Sequence, residues 1–197
     1  EMTSLDAGNK KTNPDDVEQH ISQALTELGH STEILGVNGD IHKLIEGLRS
    51  IKSDMVFNVC ESFRDISKLE MHVAALLELM SLKYTGCGPQ GLLLGQDKGL
   101  AKKVFSYHGI KSPNFTVFPV GQAVSRPSDL RYPLIVKPMK EDASIGISSS
   151  SIVKTDEALV ERVEFIHDKF MQEALVEEYI EGREFNVGII GNEKPEV

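Results

Sequence analysis

Apolar residues in this chain recur with two different periods, and the two periods take turns. Val17, Ile21, Ala24, Leu25 and Leu28 return at helical spacing, and Gly29 closes the run. Asn13 is the expected N-cap of this helix, with Pro14 at its first position and Asp15 and Asp16 in its first turn. TEILGV at 32–37 has the composition of a strand. Asp40 is placed to cap a second helix with Ile41, Leu44, Ile45 and Leu48 on one face. DMVFNV at 54–59 reads as a buried strand, and Ser67 with Glu70 has capping-box spacing for a third helix that buries Leu69, Val73, Leu76, Leu77 and Met80. This alternation predicts an α/β fold with a parallel, doubly wound sheet. Such a domain normally opens with a strand. EMTSLDAGNKKTN at 1–13 is too polar to be a central one, so that strand is expected to be missing from this chain.

YTGCGP at 84–89 is rich in turn residues and marks the expected boundary between two lobes. Beyond it, Asp97 is positioned to cap a helix carrying Leu100, Ala101, Val104 and Phe105, and Gly109 ends that helix. FTVFPV, PLIVKP and SSIV read as strands. Thr155 then caps a helix with Leu159, Val163, Ile166 and Phe170 on its apolar side, and ALVEEYI and EFNVGII are the last two expected strands.

Composition narrows the function classes. The chain has 197 residues, is 40% hydrophobic and carries a formal net charge of -9, which argues against nucleic acid or an anionic membrane surface as a partner. The stretch AALLELM at 74–80 is too short to span a bilayer, and the opening residues lack the pattern of a secretory signal. Cys60 and Cys87 have no metal-type spacing, which fits a reducing cytoplasm. The six histidines are scattered without ligand spacing, so no metal site is expected among them.

Four elements carry candidate chemistry. Lys98 falls in the first turn of its helix, where a cation opposes the helix dipole unless an anion is received there. Lys137 shares a strand face with Ile135, while Leu134 and Val136 take the other face. The loop EDASIGISSSS follows, and its glycine and small residues allow close backbone approach to a phosphate. With few apolar anchors beyond Ile145 and Ile147, residues 141–150 are expected to open easily. Glu177 sits on an otherwise apolar strand and needs a partner if buried; an adenine amino group would serve. Glu184 is spaced to accept bonds from ribose hydroxyls. For each, a solvated or internally paired side chain is the competing reading: strand-end snorkelling for Lys137, pairing with Arg183 for the glutamates.

The order Lys98, Lys137 with its loop, Glu177, Glu184 resembles the ATP-grasp fold, and within it the D-alanine–D-alanine ligase-like family. The matching strings are VFNVCE, ALLELMSLKYTGCGP, QDKGLAKKVFSYHGIKSPNF, PLIVKPMKEDASIGI and LVEEYIEGREFNVGIIGN, within about residues 54–197. The resemblance implies a Rossmann-like, parallel-sheet lobe over residues 1–86, on the substrate side. An α+β ATP-grasp domain over 87–197 follows it, with the small lobe and the beginning of the large one. It implies ATP and Mg²⁺ as cofactors, and an amide-forming reaction between a carboxylate and an amine through an acyl phosphate. Lys98 and Lys137 then correspond to the lysines at the nucleotide. Ser144, Ile145 and Gly146 correspond to the loop over the phosphates, with Ser144 also near the chemistry. Glu177, Glu178, Tyr179 and Ile180 correspond to the segment along the adenine edge, and Glu184 to the ribose-binding acid.

Departures from the family pattern fall on the substrate side. Cell-wall D-alanine ligases have a His-Gly pair and an acidic-glycine run where this chain has Cys60, Glu61 and SFRDISKLEM, and a serine where it has Ala143. Other amino acids or small carboxylates are therefore alternative substrates, and a non-catalytic nucleotide-binding module is a further alternative. A homodimer is compatible with the resemblance. The family's Mg²⁺-binding acids correspond to positions beyond Val197, so the chain by itself is expected to be inactive as a ligase.

Overall fold

The structure is a computed structural model that describes residues 16–37, 39–141 and 144–197. Asn13, Pro14, Asp15, Asp142 and Ala143 lie outside the described residues, so the expectations placed on them are not addressed. The chain divides into two compact units, Glu1–Gln96 and Asp97–Val197.

In the first unit, α1 spans Val17–Glu27 with Asp16 at the N-cap, one position outside the first turn where the sequence pattern placed it. Its Ile21 and Leu25 are half-buried, while Val17, Ala24 and Leu28 of the expected face are exposed. Helix α2, Ile41–Ser50, starts as expected, because the Asp40 carboxylate accepts from the amides of His42 and Lys43. These bonds hold the Asp40 carboxyl below its ordinary pKa. Gly47 is buried on this helix because Leu35 packs there; a Cβ would lie 2.5 Å from Leu35 Cδ1. Helix α3, Glu70–Leu79, follows a 3₁₀ turn at Ser67–Leu69, so Ser67 lies inside that turn and Leu69 takes the N-cap. Val73, Ala74 and Leu77 are its buried residues. Helix α4, Pro89–Gln96, has the favoured proline at its first position, a signal that the turn-rich reading of the region passed over. The Gln96 amide closes this end by donating to Ser67 O at 2.8 Å.

The expected strands of this unit are not formed as strands among the described residues. TEILGV has no ladder, and DMVFNV contributes one parallel bridge, Val56 to Tyr84. The ladder stops there for a local reason: the next amide, that of Asn58, donates to the Thr85 hydroxyl instead of a main-chain carbonyl. Met55, Phe57 and Val59 are exposed, which corrects the expectation of a buried strand.

The second unit is a four-stranded antiparallel sheet with helices. Helix α5 spans Lys98–Tyr107, β1 Phe115–Phe118, β2 Leu134–Pro138, β3 Ile152–Val153, α6 Asp156–Phe170 and β4 Ala174–Glu178. The strand order is β1-β4-β2-β3. Leu134, Val136, Ala174 and Val176 point to one face and form a core with Leu159, Val163 and Ile166 of α6. Thr155 caps α6 by accepting from the Ala158 amide. His167 ties α6 to β1, its Nε2 lying 2.9 Å from the Phe118 carbonyl. The expected last strand, EFNVGII, is instead an exposed segment with one bridge, Ile190 to Glu196, because no described strand lies alongside to take its hydrogen bonds. The molecule as a whole is mixed α/β, with its one multi-stranded sheet among the described residues being antiparallel.

The α6–sheet contact generates a stability test. Ile166→Ala should lower the unfolding free energy by about 2–5 kcal/mol in urea titration, since the cavity cannot collapse between helix and sheet. Tyr107→Ala, at a side chain 87% exposed, should change it by no more than about 0.5 kcal/mol.

Candidate functional site

Strand alternation divides the sheet's chemistry between its two faces. Residues 134, 136, 174 and 176 serve the core, so Ile135, Lys137, Leu175 and Glu177 face the other way. Phe115 pairs with Glu177 and Val117 with Leu175, which brings two more apolar side chains to that second face. This is the Lys137–Ile135 alternation that the sequence predicted.

Glu177 is only 6% exposed on this face, and two ammonium groups meet it. Lys137 Nζ donates to Oε1 at 2.6 Å, and Lys102 Nζ lies 2.6 Å from Oε2. The Oε2 contact is an ion pair by distance, but no donor is aligned on that oxygen as a hydrogen bond. Burial pushes the Glu177 carboxyl up; the close approach of the Lys102 and Lys137 ammonium groups outweighs burial and leaves it below its ordinary value. Lys102 also lies over the Phe115 ring, 5.4 Å from its centroid. The partner of Glu177 is thus this lysine pair, and Arg183 is not part of it. Two positive charges against one negative leave the cluster cationic.

Lys102 was missed by the sequence reading. The available signal was its spacing from Lys98: the two lie one turn apart on α5 and so share a face. Helix α5 buries Gly99, whose amide donates to Met139 Sδ at 3.3 Å, while the expected apolar face at Leu100 and Phe105 is exposed. Asp97 caps the helix as expected, accepting from the Leu100 amide. Lys98 is its first residue and donates from Nζ to the carbonyl of Glu141, at the start of the loop. Gln172 supports the same point, bonding the Glu141 carboxylate at 2.7 Å and accepting from the Lys140 amide at 2.7 Å.

The other expected site residues fall into three places. Ser144 and Ile145 are exposed on the loop, Ser144 with φ +61°, and Ser144 O accepts from the Ile147 amide at 3.0 Å. Gly146, φ +75°, is wedged where a Cβ would lie 2.7 Å from Phe170 Cζ and 2.8 Å from Pro138 Cγ. Glu178 turns away from Glu177: its carboxylate accepts from the Arg131 amide at 3.0 Å and from Asn114 Nδ2 at 3.4 Å. The amides of Glu178 and Tyr179 donate to the carbonyls of Asn114 and Pro133. Ile180 and Glu184 lie in the exposed segment after β4, outside the buried cluster. Among the described residues, no group of three or more His, Cys, Asp or Glu side chains is arranged to hold a metal ion. Cys60 is half-buried in the first unit; burial pushes its thiol above the ordinary pKa, and it donates to Ser62 O. That direction disfavours a nucleophilic thiolate.

What this arrangement offers chemically is a place for an anion with a planar, partly apolar neighbour. Lysine charge exceeds carboxylate charge, Phe115, Val117, Leu175 and Ile135 line the same face, and the loop brings backbone groups in left-handed conformation. A nucleotide has both the anionic and the flat component. The lowered pKa of Glu177 also predicts a pH dependence. Its stabilising contribution is complete above the ordinary value of 4.5 and is lost as pH falls through the lower folded value. The stability gap between wild type and Glu177→Gln, measured by urea titration at several pH values, should therefore narrow steadily below that point. A constant gap would show that folding does not lower the Glu177 pKa.

Residues 96–197 match the family described as D-ala D-ala ligase C-terminus. An uncharacterized protein of Sinorhizobium fredii is 38% identical over 181 residues, covering 88% of this chain and 52% of that protein. The D-alanine–D-alanine ligase of Syntrophotalea carbinolica is 33% identical over 182 residues, covering 86% of this chain and 52% of the ligase. The chain spans about half the length of these curated relatives. Among solved structures, a D-alanine–D-alanine ligase of Bacillus anthracis superposes with a TM-score of 0.62 at 20% identity, over 85% of this chain and 54% of that one. A second structure of the Bacillus anthracis ligase, complexed with ATP, gives 0.57 at 23% identity, over 73% of this chain and 44% of that one. At these identities the superpositions establish the fold, and the family match establishes the relation: the chain belongs to the D-alanine–D-alanine ligase-like ATP-grasp family.

Proposed function

We propose that this chain is the nucleotide-holding part of an ATP- and Mg²⁺-dependent carboxylate–amine ligase, which forms an amide through an acyl phosphate. The observation that carries the reading is the cationic Lys102–Glu177–Lys137 cluster, set on a sheet face beside a small-residue loop. Family membership supplies the reaction class. ATP, when bound, supplies the phosphoryl group that activates the carboxylate. The described residues offer no Mg²⁺ cluster, and no role is assigned to them there.

The roles follow from charge and position. Lys98 and Lys137 hold the phosphates and the adjoining adenine, with Ser144, Ile145 and Gly146 closing over the phosphate side. An anion arriving at Lys137 competes with Glu177 for the same ammonium group. Lys102 lets this happen cheaply, since it continues to balance Glu177 when Lys137 turns to the ligand. The amides of Glu178 and Tyr179 are already committed to strand neighbours, so recognition of the adenine edge falls to the Glu177 carboxylate, the Ile180 amide and free carbonyls of the same segment. Glu184 takes the ribose. In this reading residues 1–86 form the substrate-side lobe, and Cys60 and Glu61 stand near where substrate choice is made. That substitution favours an amino-acid substrate other than D-alanine at one of the two positions.

Two measurements on the full-length protein test the reading. Lys137→Ala should weaken ATP binding by roughly tenfold or more in calorimetry, as expected for losing a charged donor, with the circular dichroism spectrum unchanged. Unchanged affinity removes Lys137 from the site. ADP release across a panel of D- and L-amino acids, with the product identified by mass, should depend on a specific pair of substrates. ADP release independent of every amino acid, or none at all, overturns the ligase assignment.

A further inference from the structure

Arg162 is a buried cation that the site described above does not use. It lies on α6 among core residues, is 9% exposed, and has no carboxylate within ion-pair distance among the described residues. Its Nη2 donates to the Gly146 carbonyl at 2.6 Å and to Ser151 Oγ at 2.8 Å. Its guanidinium carbon is 4.3 Å from the Phe165 ring centroid, and its Nε is buried without an acceptor. Burial draws its pKa down from the ordinary value.

Placing a guanidinium with no carboxylate partner among core residues is costly, and its stacking on Phe165 offsets only part of that cost. What the arginine provides is one long-reaching nitrogen, Nη2, that bonds two points of one loop. Ser151 Oγ also accepts from the Ser148 amide at 3.0 Å, and the Ser151 amide donates to Ser148 O at 2.9 Å. Arg162, Ser151 and Ser148 thus close a ring of bonds around the trailing end of the loop. Gly146 is held by the same guanidinium on one side and by Phe170 and Pro138 on the other. Ser144 and Ile145, just ahead of this ring, are exposed, and the bond there is the Ile147 amide donating to Ser144 O.

We infer that Arg162 is a positioning residue for the nucleotide loop. It fixes 146–151 as a rigid base behind Ser144 and Ile145, and it holds a positive charge at that base, against the backbone of the loop that receives the anion. The inference rests on the nucleotide reading for its ligand, but the anchoring itself does not. It also revises the expectation that the whole of 141–150 opens easily: the trailing half is tied.

The test uses the full-length protein and two readouts. In Arg162→Met, hydrogen exchange at the amides of Ile147, Ser148 and Ser151 should speed by roughly ten- to a hundredfold without ligand, the effect of losing charged hydrogen bonds, while β2 and β4 amides keep their protection. ATP affinity by calorimetry should fall by roughly tenfold, with Arg162→Lys intermediate, since it keeps the charge but has a shorter reach and loses the planar guanidinium that stacks on Phe165. Val163→Ala, which loosens α6 without touching the loop, should leave ATP affinity within about twofold, marking the effect as specific. If Arg162→Met does not fold, Ser151→Ala removes half of the ring and should show the same two changes at smaller size. Unchanged loop exchange in the folded variants overturns the inference. Faster loop exchange with unchanged ATP affinity also overturns it, leaving Arg162 a structural tie only. Failure of the wild type to bind ATP would instead refute the nucleotide reading, and loop exchange would then decide the anchoring by itself.

Discussion

The second unit depends on a carboxylate that cannot stand alone. Glu177 lies in the middle of the sheet, on a strand hydrogen-bonded on both sides, and nearly all of its surface is hidden. Without Lys137 and Lys102 it would either lose its charge or open the sheet to water. With them, three separate elements are drawn to one point: β2 through Lys137, α5 through Lys102 and β4 through Glu177 itself. On helix α5, Gly99 is buried against Met139 and Ala101 and Val104 are half-buried, while Leu100 and Phe105 remain exposed. The charge cluster adds to these modest apolar contacts in fixing its position.

The two faces of the sheet are built on opposite principles. Toward α6 it is an ordinary apolar sandwich of Leu134, Val136, Val176, Val163 and Ile166, and that side supplies stability. Toward α5 it carries a charge cluster framed by Phe115 and Leu175, and that side is available for chemistry. The division lets the site be polar and adjustable without weakening the core beneath it. Arg162 is the exception that connects the two, a charge placed on the core side whose bonds reach the loop.

Local signals in the sequence were read well where one residue decides the outcome. Asp40, Asp97 and Thr155 cap their helices because a single carboxylate or hydroxyl suffices to satisfy an amide. The strands around Lys137 and Glu177 were legible because period-two alternation is itself the structural cause of the two faces. Legibility failed where the outcome depends on a neighbour distant in sequence. DMVFNV and EFNVGII have strand composition, yet a strand exists only if another runs beside it, and composition does not reveal that. The role of Lys102 failed for a related reason. A lysine on a helix is ordinarily solvated, and only the approach of β4 from 75 positions further along turns it into a buried partner. The resemblance to a family named Lys98, Lys137, Glu177 and Glu184 as candidates in order but was silent on how Glu177 is balanced.

The register of β4 has a consequence for how this protein can change over evolutionary time. Val176 and Glu177 are adjacent, one in the sandwich and one in the charge cluster. Deleting or inserting a single residue within Ala174–Glu178 would exchange their sides, sending a carboxylate into the apolar layer and a valine to the two lysines. Both faces would fail together, so no half-functional intermediate exists. Point substitutions can accumulate along this strand, but changes in its length cannot. The exposed segment that follows β4 carries no such register constraint, and beyond Glu184 length variation among descendants of this chain should collect there and spare the strand.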